Sequence, residues 1–96
     1  MPTLYLVTYD ICDEKRLRLV FKKMRGYGEH LQYSVFRCDL SEARKAQLIA
    51  DLSDIVNCDE DQVLIFNLGP AEGYRAEMVD TVGLAYKPVV REAIVV

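Results

Sequence analysis

A chain of 96 residues, 51% of them hydrophobic, has the length of one domain and enough apolar side chains for a small core. Its formal net charge of -3 argues mildly against a nucleic-acid partner. No stretch approaches the roughly 20 apolar residues of a membrane span, and MPTLYLVTYD lacks the basic start of a signal peptide, so a cytoplasmic protein is expected.

Thr3 to Ile11, TLYLVTYDI, reads as a buried strand rich in β-branched and aromatic residues. Alternation puts Tyr5, Val7, Tyr9 and Ile11 on one face and Leu4, Leu6, Thr8 and Asp10 on the other. An acid among apolar neighbours at a strand end has two readings. Asp10 ends the strand and caps the next helix, or it is a metal ligand or acid/base group.

Asp13 is a good N-cap and Glu14 a good first-turn acid, and Leu17, Val20, Phe21 and Met24 recur at helical spacing, predicting an amphipathic helix to about Arg25. Lys15, Arg16, Arg18, Lys22, Lys23 and Arg25 oppose only two acids on this element, giving net +4 against -7 for the rest. A solvated face is the ordinary fate of such a run. Lys22, Lys23 and Arg25 suit the helix C-terminus, but Arg16 and Arg18 lie in the first half, where the dipole favours acids, and are candidate phosphate contacts.

Gly26 and Gly28 end the helix, and from about Glu29 to Asp39 an alternating pattern predicts a second strand. Ser41 caps a second helix with a broad stripe of Ala43, Ala46, Leu48, Ile49, Leu52, Ile55 and Val56, ending at Asn57. Asp59, Glu60 and Asp61 lack a calcium-loop spacing and read as solvated surface. Gln62 to Leu68 predicts a third buried strand, Gly69-Pro70 a reversal, Tyr74 to Val82 a weaker fourth strand, and Val89 to Val96 an apolar tail. Cys12, Cys38 and Cys58 are odd in number and lack a Cys-x-x-Cys pair, which speaks for reduced, buried thiols rather than disulfides or zinc. His30, the only histidine, offers little basis for a nucleophilic relay.

This order is the split βαβ of an α+β, ferredoxin-like fold: an antiparallel sheet with helices on one face, as a single domain over 1–96. Strands apolar on both faces call for cover of the open face, most simply by a second copy in a homodimer that the segment at about 84–96 contacts. A two-fold axis near the first strands would bring two Asp10 carboxylates together, which favours a cation between them.

Tyr9-Asp10-Ile11 at the end of a hydrophobic strand, a helix with an Arg-rich start, Tyr27-Gly28, and Gln-x-Ser-Val-Phe-x-Cys (Gln32, Ser34, Val35, Phe36, Cys38) together resemble the CRISPR-associated Cas-two family over most of the chain. Family members often carry adjacent arginines where Arg16 and Arg18 flank Leu17. The resemblance implies a ferredoxin-like homodimer whose C-terminal strand packs on the partner. It also implies an endonuclease, dependent on magnesium or another divalent metal, acting on single-stranded RNA or double-stranded DNA, and association with the CRISPR integrase subunit in spacer acquisition. It places Asp10 as metal ligand and catalytic residue, with Tyr9, Arg16, Arg18, Ser34 and Phe36 in the catalytic site. Two other readings compete with the nuclease. One is a non-catalytic scaffold holding duplex DNA through Lys15, Arg16, Arg18 and Lys22; the other is a small-molecule sensor on the same fold.

Overall fold

The computed structural model describes residues 1–86. Its central strand, β1 (Thr3–Asp10), is followed by α1 (Glu14–Arg25), β2 (Glu29–Gln32), β3 (Val35–Leu40), α2 (Glu42–Ser53) and β4 (Gln62–Pro70). The sheet order is β2-β3-β1-β4 with every neighbouring pair antiparallel, so each βαβ unit is split by a strand of the other. The ferredoxin-like α+β architecture expected from the pattern is therefore present. The C-terminal strand expected to cross a homodimer lies largely outside the described residues.

Capping sets the helix starts as the residue types demand. Asp13 accepts a hydrogen bond from the Arg16 N–H at 2.9 Å, and the Ser41 hydroxyl accepts one from the Arg44 N–H at 3.1 Å. The core lies between the helices and one sheet face: Tyr5, Val7 and Tyr9 of β1 and Phe36, Cys38 and Leu40 of β3 meet Val20 and Met24 of α1 and Leu48 and Leu52 of α2. The α2 stripe is narrower than its composition suggests, since Ala43, Ala46 and Ile49 remain exposed and the helix stops at Ser53. Cys12 and Cys58 are exposed, contrary to expectation, and only Cys38 is buried; no disulfide joins them.

Two predicted strands require correction. The stretch Glu29 to Asp39 is a hairpin, with Tyr33 and Ser34 at its turn. No non-glycine described residue has positive φ, so this turn does without the Asn-Gly chemistry that would have marked it, and a register irregularity between His30 and Gln32 accommodates the bend. Tyr74 to Val82 pairs with no strand. It forms the second of two short 3-10 turns, Ala71–Gly73 and Ala76–Met78, and then crosses the open face of the sheet. The strand count survived because the missed hairpin and the surplus strand cancelled.

This crossing segment is pinned at Arg37, which pairs with Glu29 at 2.9 Å and Asp39 at 3.3 Å and lies 4.3 Å from the centroid of the Tyr74 ring. Tyr74 and Tyr86 share a hydrogen bond of 2.8 Å, and burial, helped by that bond, pushes the Tyr86 hydroxyl up to about 12. Leu4 is buried, while Leu64, Phe66 and Leu68 of β4 remain 42%, 45% and 56% exposed. The open face is thus half covered by its own chain. No described helix is long and apolar enough to cross a membrane.

Candidate functional site

β1 delivers Asp10 to its last position, opposite Gln62 of β4. The side chain is exposed and its carboxylate makes no hydrogen bond or ion pair among the described residues. Capping is not its task, because Asp13 caps α1. By register Asp10 shares the open sheet face with Leu6 and Thr8 and with Leu64 and Phe66 of β4. Among the described residues no three His, Cys, Asp or Glu side chains converge.

Tyr9, one residue earlier, points the other way into the core. Its hydroxyl is buried with no hydrogen-bond partner among the described residues, and burial raises its pKa. Its N–H donates to the Ser34 carbonyl at 3.1 Å, which ties the β2–β3 turn to the end of β1. Phe36 is fully buried behind Tyr9, with ring centroids 6.3 Å apart, and also abuts His30 and Phe21. Tyr9, Ser34 and Arg18 line one open cavity of about 470 Å³ together with Leu17, Phe21, His30 and Tyr33. Three of the sequence candidates are thus brought together on the helix side of the sheet, Phe36 supports them from behind, and Asp10 stands at the same end on the opposite face.

Arg16 is placed elsewhere. Its Nε donates to Asp61 Oδ2 at 2.7 Å and its Nη2 to Glu60 Oε1 at 3.0 Å. The Asp61 side chain is wholly buried and also accepts from the N–H groups of Cys12 at 2.9 Å and Asn57 at 2.8 Å. The guanidinium, with those two N–H groups, holds the Asp61 carboxyl well below the usual carboxylate range, and Asp61 in turn raises the pKa of Arg16. Two expectations change together: Asp61 is a clamp rather than solvated surface, and Arg16 has a structural partner after all. Nothing local signals this pair, 45 positions apart. Lys15, Arg18 and Lys22, spaced i, i+3, i+7, share one exposed stripe of α1 and have no ion pair among the described residues. Sequence reasoning missed the cavity's His30, Tyr33, Phe21 and Leu17, because Tyr33 read as part of one continuous strand and Leu17 and Phe21 as the core stripe of α1.

The match to the family model described as CRISPR associated protein Cas2 spans residues 2–75. The chain belongs to the Cas2 family. A CRISPR-associated endoribonuclease Cas2 from Geobacter sulfurreducens is 44% identical over 96 residues, covering the whole of both chains. Another, from Rhodospirillum rubrum, is 40% identical over 92 residues, covering 96% of this chain and 89% of its own. The crystal structure of Streptococcus pyogenes Cas2 superposes with a TM-score of 0.72 at 33% identity, covering 83% of this chain and 99% of the other. The Cas2 likeness therefore extends over sequence and fold alike.

Proposed function

We propose that this Cas2 chain acts as a dimeric, magnesium-dependent endonuclease on single-stranded RNA or double-stranded DNA, working with the CRISPR integrase subunit during spacer acquisition. The observation that supports it most is Asp10, an exposed, unpaired carboxylate on an apolar sheet face that is only half covered. A second copy on that face removes apolar surface from water and brings a second Asp10 near the first. Carboxylate oxygens suit a hard cation that keeps most of its waters, so Asp10 of two copies would hold magnesium. Magnesium, when bound, supplies Lewis acidity toward the phosphodiester and a more acidic water.

The chain's own groups supply the rest. Lys15, Arg18 and Lys22 neutralise phosphate charge along the exposed stripe. Arg16 acts at one remove by clamping the loop before β4 to α1. Ser34 and Phe36 keep Tyr9 and the end of β1 in place. A second reading, a non-catalytic scaffold for duplex DNA, is favoured by the lack of any cluster of three acidic or other metal-ligating side chains among the described residues, since nuclease sites normally gather more acids.

The deciding experiment measures cleavage and binding of single-stranded RNA and duplex DNA by wild type and Asp10→Asn, with magnesium or chelator. The nuclease reading expects Asp10→Asn to bind normally and to cut at least about a hundredfold more slowly. Magnesium-independent binding without cleavage by either protein establishes the scaffold instead.

A further inference from the structure

We propose that the cavity floored by Tyr9 and edged by Tyr33 receives one unpaired nucleobase of a single-stranded nucleic acid. The proposal deepens the nucleic-acid reading above and rests on it. The walls are the flat or apolar side chains of Leu17, Phe21 and Tyr33, and the volume of about 470 Å³ exceeds what one base requires. Tyr33 stands 94% exposed at a turn, where its ring is accessible for stacking on a base.

The polar groups are few and unspent. Tyr9 contributes to the floor, while its hydroxyl is buried away from solvent without a partner among the described residues. His30 Nε2 lies 2.9 Å from the Tyr33 carbonyl; a carbonyl only accepts, so Nε2 carries a proton, and in the neutral ring Nδ1 is the acceptor. Arg18, without an ion pair among the described residues, provides positive charge for the phosphate attached to the base. Rings presenting faces, an acceptor and a cation at the mouth match a nucleotide whose base has left its stack, whereas a paired base in a duplex has its faces stacked and its Watson–Crick edge occupied. The cleft between α1 and α2 makes a useful contrast. It is also basic, but its Tyr27 hydroxyl is engaged by Asp51 at 2.5 Å and its ring is covered by Arg44 at 4.1 Å.

The test titrates the full chain with uridine 5′-monophosphate, adenosine 5′-monophosphate and ribose 5-phosphate while following the Tyr33, His30 and Phe21 signals by NMR. In parallel, affinities for a single-stranded RNA and for the matching duplex are measured for wild type, Tyr33→Ala and the cavity-filling Leu17→Trp. The expected result is shifts with both nucleotides and none with ribose 5-phosphate, and a loss of at least about fivefold in single-strand affinity for each variant with duplex affinity unchanged. Equal shifts with ribose 5-phosphate, or variants that bind single strands as wild type does, overturn the proposal. A protein that shows the base-dependent shifts but never cuts keeps this site and loses the nuclease reading; one that cuts while the nucleotide titrations stay flat does the reverse.

Discussion

Asp61 shows how much one side chain can carry. It is wholly buried and gathers Arg16, the N–H of Cys12 and the N–H of Asn57, so the start of α1, the end of β1 and the loop before β4 meet on one carboxylate. Replacing it by Asn keeps the shape but removes the charge, leaving the Arg16 guanidinium with Glu60 alone. Asp61→Asn is expected to lower Tm measurably, more than Asp59→Asn on the same loop, as read by thermal unfolding at neutral pH. The pH dependence has a definite sign. Because the folded pKa lies below the ordinary 3.8, the clamp's contribution is complete above that value and declines as pH falls below it. Wild type and Asp61→Asn should therefore converge in stability on acidification, and a difference that stays constant down to strongly acid pH would show that the charge is not what matters.

At the scale of elements, the packing of the α1–β2 connection on β3 is the tightest constraint. A Cβ at Gly28 would collide with the Arg37 carbonyl oxygen and Cys38 Sγ, both on a central strand that cannot move aside cheaply. Gly28→Ala is expected to destabilise by at least about 1–3 kcal/mol, measured by urea denaturation with the slope unchanged. The result matters for the site, since β3 and the β2–β3 turn carry Phe36 and Ser34 to Tyr9. The hairpin itself was invisible in the sequence because its turn uses Tyr33 and Ser34, with no Gly, Asn or Pro to interrupt the alternation. Tyr74 to Val82 misled in the opposite sense: Tyr74, Met78 and Val79 line a cavity on the open sheet face without strand spacing, and the segment pairs with no strand.

For the whole molecule, the open face decides between one chain and two. Leu64, Phe66 and Leu68 form an exposed apolar row on the edge strand, running from beside Thr8, two residues before Asp10, toward the start of β1. If a second copy covers it, Phe66→Glu should turn a dimer into a monomer by sedimentation and abolish metal-dependent cleavage, while each chain keeps its circular dichroism spectrum, since Phe66 lies outside the core cluster. A wild type that sediments as a monomer at every concentration would remove the basis for pairing two Asp10 carboxylates.

What the sequence determined by itself was whatever depends on near neighbours. Helix starts at Asp13 and Ser41, the core face of β1, the basic run on α1 and the strand-end position of Asp10 all follow from periodicity, capping chemistry and residue type. The family motif reaches further, since it ties Tyr9, Ser34 and Phe36 to one place, and the three are neighbours in the fold. Tertiary structure alone decided which charges are spent and which remain available. Arg16 and Arg18 are the same residue type two positions apart, yet a rotation of about 200° around the helix presents the first to Asp61 and the second to an open cavity. Separation across 45 positions and the covering of the sheet by residues 71–86 are properties of packing, which local pattern does not encode.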